Sequence, residues 1–303
     1  MSMQYLIALI LACITIYLGS PVVGLLLGIG FSIVFLTDNE FITRKYATRL
    51  LQTGIILLGF SIDFSVAQET SSSYLLPISL FVVFVFLLTL ILGKLLKLKQ
   101  SYIYLIASGS SICGGTAMAA VAPVIKSRPQ ELSIAIAIIF LLNAIGILFF
   151  PLIAEQINLS QSEFGLWAAT AIHDTSAVIG AAMIYGAESL EVAATLKLGR
   201  TLWIIPLVII LSLMNRTDSR PKLPLFVIGF ILAIFIGSSF QLPIDSSQFK
   251  QLSSVFLLLG LFCVGTQITK NAFVGVDKSL FIFPVLIWLI VIPASLFLTF
   301  QIA

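Results

Sequence analysis

Three short stretches of this sequence hold nearly all of its chemistry. The first, Ser108-Gly-Ser-Ser-Ile-Cys-Gly-Gly-Thr116, packs three glycines and four hydroxyl residues into nine positions. Gly109, Gly114 and Gly115 weaken a helix where lipid offers no replacement hydrogen bonds. The spacing predicts a discontinuous helix whose second half starts near Gly115 or Thr116. Free amides there, a positive dipole end and the hydroxyls of Ser110, Ser111 and Thr116 would make an anion site without a formal charge. A packing face of small residues is the plain alternative.

The second stretch contains His173, the single histidine of the chain, followed by Asp174, Thr175 and Ser176. Read as one helix, His173 and Asp174 point about 100° apart. Their chemistry is a substrate contact and a proton or cation site, or else a polar helix–helix contact. An unperturbed imidazole titrates near pH ~6.5, so protonated His173 would strengthen an anion site. One His and one Asp do not complete a metal shell, and no metal or other cofactor is expected.

In the third stretch Lys197 and Arg200 stand three apart and share a helix face. Lys197 could snorkel outwards. Arg200 falls at the centre of its span and needs a carboxylate, a carbonyl or a bound anion. Asp174 is the nearest partner by depth, and a substrate oxyanion suits the planar guanidinium equally well. Asn143 stands where it could hydrogen-bond the broken helix of the first stretch. Asp63 and Gln267 are lesser candidates. They lie late in two spans sharing a loose pattern, Leu58-Gly59 and Leu259-Gly260, which hints at an inverted repeat.

These stretches are set in an apolar frame. Of 303 residues, 59% are hydrophobic and 10% charged, and the mean hydropathy is +1.15. A soluble domain carries about 25% charged residues, so the solvent here is lipid. Windows of about 20 residues give eleven candidate spans, near 4–19, 21–36, 48–66, 75–96, 102–125, 132–153, 162–186, 192–214, 223–240, 252–270 and 279–301. The first two are joined by Ser20-Pro21 as a tight hairpin. The first lacks a basic leader and a cleavage site, so it reads as a span and not a signal peptide. Cys13, Cys113 and Cys263 all lie in apolar runs and read as buried free thiols. A net charge of +3, scattered along the chain, excludes a nucleic-acid partner. The whole of 1–303 reads as one transmembrane domain.

Charge also orients the spans. With the N-terminus cytoplasmic, the inner connections carry eleven basic residues: Arg44, Lys45, Arg49, Lys94, Lys97, Lys99, Arg216, Arg220, Lys222, Lys270 and Lys278. The outer face carries three, Lys126, Arg128 and Lys250. That asymmetry is the positive-inside pattern, and it puts the C-terminus outside.

The run from Ser108 to Ile125 resembles the most recognisable stretch of the YeiH-like sulfate-exporter family, also called the UPF0324 membrane proteins. Trp167 to Val178 is similar to that family's second signature, and Lys197-Leu-Gly-Arg200 fits as well. The resemblance runs over nearly the whole chain. The family is similar in architecture to the bile-acid symporter and cation–proton antiporter superfamily. That implies an all-α polytopic fold with inverted repeats, broken crossing helices and elevator-like or rocking alternating access.

The expected function is therefore a secondary active transporter of small oxyanions in a bacterial inner membrane. It would export sulfate, sulfite or a sulfonate. Ser110, Ser111, Gly114, Gly115, Thr116, His173, Lys197 and Arg200 would hold the anion, Asp174 would handle coupling, and Asn143 would support them. Proton or sodium is the coupling ion, and a homodimer is an allowed assembly. The rivals are a cation–proton antiporter using Asp174 and a passive anion channel. No Gly-x-Ser-x-Gly or His-Glu-x-x-His motif supports an enzyme. Single cysteines placed at Arg44–Lys45 and at Arg216–Lys222 should resist an impermeant maleimide applied to intact cells. Strong labelling at either loop contradicts the eleven-span topology.

Overall fold

Polar residues at the edges of the apolar runs set where helices begin. The computed structural model describes residues 2–35, 42–215, 225–240, 243–267 and 277–302. Helix α1 (Ser2–Leu18) and α2 (Pro21–Phe35) form the expected hairpin, closed by Gly19 at φ +61° and by Pro21 at the first position of α2. Helix α3 is Ile42–Gly59 and α4 is Phe64–Leu95. Asp63 separates them. Its carboxylate accepts from Ser65 N at 2.8 Å and caps α4. The Ser65 hydroxyl and amide hold that carboxyl below its usual range. The third span therefore ends at Gly59 and not near 66, and Asp63 is a helix cap outside the site.

The remaining helices are α5 (Gln100–Ser108), α6 (Gly115–Val121), α7 (Pro129–Gln156), α8 (Gln161–Ala171), α9 (Thr175–Tyr185), α10 (Ala187–Thr201), α11 (Ile204–Asn215), α12 (Leu225–Ser239), α13 (Ser246–Gly265) and α14 (Lys278–Ile302). A π-helical turn, Gly109–Cys113, follows α5. Between α10 and α11 the chain tightens at Leu202-Trp203, because Pro206 has no amide to offer the Leu202 carbonyl. Among the described residues, five helical stretches are long and apolar enough to cross a bilayer: Phe64–Leu95, Pro129–Gln156, Ala187–Asn215, Ser246–Gly265 and Lys278–Ile302. Met3–Leu18, Pro21–Phe35, Thr175–Tyr185 and Leu225–Ser239 are shorter apolar helices. The protein is thus a multi-pass helical membrane protein. Leu6, Leu9, Leu76, Leu80, Phe297 and Phe300 are exposed, as lipid-facing side chains should be. Cys13 is exposed too, unlike the buried Cys113 and Cys263.

The helices sort into two bodies by what they pack against. A panel consists of α1, α2, α3, α12 and α13, and a core consists of α4 to α11 with α14. In the panel, α3 and α13 run antiparallel. Thr43 and Thr266 share a hydroxyl bond of 2.7 Å at one end, and Ser253 Oγ donates to Gly54 O at 2.7 Å further along. Gly28 lets α2 approach α13 so closely that a Cβ there would sit 2.1 Å from Phe262 O. Close backbone packing of this kind drives helix association in lipid. The bodies meet where α9 touches α2 and α13, where α7 touches α2 and where α4 touches α12. Residues 216–224 and Lys270, on which part of the expected topology rests, lie outside the described residues.

Candidate functional site

The first chemical stretch is a broken helix, as its glycines require. Ser108 Oγ and Ser111 Oγ bond back to Leu105 O at 2.9 Å and Ala107 O at 2.6 Å. Gly114 N reaches Gly109 O at 2.9 Å, five residues back. Gly114 then turns the chain at φ +62° and ψ −129°, and α6 starts at Gly115. An L side chain would be strained there. A Cβ would also press to 3.1 Å from Asp174 Cα and Cβ.

Asp174 belongs to a second break, so the single helix expected over 162–186 is corrected. Helix α8 stops at Ala171, Ile172 and Asp174 are extended, and α9 begins at Thr175. Asp174 Oδ2 accepts from Ser176 N at 2.9 Å and caps α9. His173 and Asp174 are therefore linker residues with no helical angle between them. The two breaks cross in contact at Gly114 and Asp174.

Breaking two helices inside a membrane orphans carbonyls, and α10 supplies the donors. Arg200 Nε donates to Ser111 O at 2.6 Å and Arg200 Nη2 to Ser110 O at 2.8 Å. Arg200 Nη1 donates to Ala169 O and Thr170 O, both at 2.8 Å. Lys197 Nζ donates to Ile172 O at 2.8 Å. Both side chains are buried, at 0% exposure for Lys197 and 1% for Arg200. The shared face of Lys197 and Arg200 is as expected. Lys197 does not snorkel, and Arg200 makes no ion pair with Asp174. Carbonyls at the negative ends of α8 and the π turn are what the guanidinium meets. Asn143 Oδ1 accepts from His173 N at 3.2 Å and Asp174 N at 3.4 Å, so it serves the second break and not the first.

A cavity of about 350 Å³ opens where the crossing faces the panel. From the core it is lined by Gly115, Thr116, Asp174, Thr175 and Ser176. From the panel it is lined by Thr48, Gln52 and Gln267 among apolar residues. Of the expected site residues, Gly115, Thr116 and Asp174 reach this cavity. Ser110, Ser111, Gly114, Asn143, His173, Lys197 and Arg200 stand behind it. The Ser111 hydroxyl is spent on Ala107 O, whereas Ser110 Oγ, Asn143 Nδ2 and both His173 ring nitrogens are buried without a partner.

A family model described as "Conserved hypothetical protein 698" matches residues 2–283. A UPF0324 membrane protein of Vibrio parahaemolyticus is 35% identical over 294 residues, covering 95% of this chain and 94% of its own length. The chain belongs to the UPF0324 membrane-protein family. Its UPF0324 relative in Shewanella oneidensis is 37% identical over 290 residues, or 94% of this chain and 91% of that one. The one in Photobacterium profundum is 37% identical over 300 residues, or 97% and 90%. No solved structure matches the chain.

Sequence reading of this UPF0324 protein passed over Thr48 and Gln52. The signal was available: Gln52 is a lone amide in an apolar run, one turn after Thr48. The second break was also signalled, since an aspartate followed by Thr175-Ser176 is a helix start. If Arg200 holds the breaks, Arg200→Met should orphan carbonyls at about 1–3 kcal/mol each. We expect a loss of stability of at least about 3 kcal/mol on that scale, read as a lowered Tm in detergent. Arg200→Lys should recover only part, since a point charge lacks the fork of donors. A Met variant as stable as the wild type contradicts this role.

Proposed function

We propose that this UPF0324 protein is a secondary active transporter of small oxyanions. Sulfate, sulfite or a sulfonate binds in the cavity between core and panel. The charge at the crossing carries the reading. Two buried basic side chains, Lys197 and Arg200, are set against one carboxylate, Asp174. They stand just behind a wall of hydroxyls and amides. Small-residue packing alone asks for neither buried cation.

Asp174 carries the coupling proton in this reading. As a carboxylate it caps α9 and occupies the place of an anion. Once protonated it donates to the ligand, and the repulsion is gone. His173, closed off behind the cavity, does not meet the ligand directly. A divalent oxyanion leaving with one proton moves a net negative charge outward. An inside-negative potential favours that by about 2.3 kcal/mol per 100 mV, which supports export. The core would carry the site past the panel through eleven spans, with the N-terminus inside, the C-terminus outside and the two halves related as inverted repeats.

The second reading, a cation–proton antiporter, is favoured by one observation: Asp174 is the one charged side chain among the described residues lining the cavity. Proteoliposomes separate the readings. With the membrane potential clamped, an imposed proton gradient should drive labelled sulfate above its equilibrium level. Anion affinity should rise as pH falls, and Asp174→Asn should flatten that dependence while His173→Gln leaves it. Sulfate flux with neither proton nor sodium movement would indicate a channel. Proton flux exchanged for sodium, without sulfate, would indicate the antiporter.

A further inference from the structure

We infer that Gln52 and Gln267 form the panel's half of the binding site and select for oxyanions by their amide N–H groups. The inference rests on the transport reading above and names the wall opposite the core.

Both residues line the cavity that contains Thr116, Asp174, Thr175 and Ser176. They come from antiparallel neighbours. Gln52 lies just past the middle of α3 and Gln267 follows the end of α13, so the two stand at different depths along the pair and the cavity reaches both. Each side chain is half-buried. Neither makes a side-chain hydrogen bond to any described residue, although each carries two donors and one acceptor. Packing gives no reason for an amide here. Gln52 follows Leu50-Leu51 and precedes Thr53-Gly54 and Ile55-Ile56, and a leucine would seal the seam better. A polar side chain kept free of protein partners at the wall of a cavity is poised for something that enters the cavity.

The chemistry of that occupant follows from the opposite wall. The Asp174 carboxylate is an acceptor, so it draws the amide NH2 groups inward and leaves their carbonyls turned away. Thr48, one turn before Gln52, adds a hydroxyl on the same face. The panel thus presents donors and no formal charge. Neutral donors suit a ligand that must be released again when the core moves, because an arginine in the panel would hold an oxyanion far more tightly. The cationic groups travel with the core, and the panel tests geometry. A ligand with oxygens on two sides, such as sulfate or sulfite, can meet the core and both amides together. Chloride, with one centre, cannot span them in the same way.

The test uses the full chain in detergent, titrated with sodium sulfate, sodium sulfite and sodium methanesulfonate at constant ionic strength, with sodium chloride as the reference. Gln52→Leu and Gln267→Leu should each weaken sulfate binding tenfold or more, with the unliganded Tm little changed. Gln52→Glu should abolish binding, since it sets a carboxylate against the anion. Gln52→Asn keeps the amide one methylene shorter and should fall between, which guards against a leucine variant that fails to fold. Leucine variants that bind sulfate as the wild type does would overturn the inference while leaving the transport reading intact. A Gln52→Glu variant that keeps the sulfate affinity of the wild type would also overturn it. A wild type that binds none of the three oxyanions would overturn the inference together with the transport reading.

Discussion

One guanidinium holds two broken helices together. Arg200 gives its Nε, Nη1 and Nη2 donors to four carbonyls, two on each break. In lipid an unpaired carbonyl has no water to turn to, and its cost runs to several kcal/mol. This clamp pairs carbonyls that the two breaks leave behind, beside the point where Gly114 turns its chain against Asp174. Lys197, one turn earlier on α10, serves Ile172 O in the same way. The buried charges of α10 are therefore tied first to the ends of half-helices, and their field reaches the cavity from behind.

That arrangement divides the labour in the molecule. Among the described residues the core supplies the one charged side chain that lines the cavity, Asp174, and the panel is built for close contact along α2, α3 and α13 with glycines at the tightest points. Between the bodies lie two voids. One is the polar cavity of about 350 Å³ at the crossing. The other, of about 270 Å³, lies among α4, α10 and α12 and is walled largely by Leu75, Leu198, Val227, Phe230 and Ile234. A seam with room at two places is what relative movement of two bodies needs. Interhelical contacts by small residues allow sliding, whereas interlocked large ones resist it.

Composition and glycine spacing were enough to read a polytopic helical protein, the break at Ser108–Thr116 and the joint face of Lys197 and Arg200. Periodicity could not show what Arg200 would meet. Backbone carbonyls are present at every residue, so a sequence cannot mark which ones a fold leaves unpaired. The arginine was accordingly read as an anion ligand or as the partner of Asp174. The second break was missed because Trp167 to Ala171 and Ala177 to Ala182 are both good helix. The interruption has no glycine or proline, and its sign is an aspartate cap that also reads as a functional carboxylate. Gln52 was lost for another reason: a lone amide does not disturb the hydropathy of a span.

The central claim is that an oxyanion sits at the crossing, between Thr116 with the start of α9 on one side and Gln52 with Gln267 on the other. The most direct measurement is a structure determined with selenate, which is shaped like sulfate but far easier to locate. The account predicts a tetrahedral ligand within hydrogen-bond distance of the Thr116 hydroxyl and at least one of the two glutamines, with Arg200 still on its four carbonyls. Selenate bound directly to a displaced Arg200, or a cation bound at Asp174 with no anion in the cavity, would contradict it.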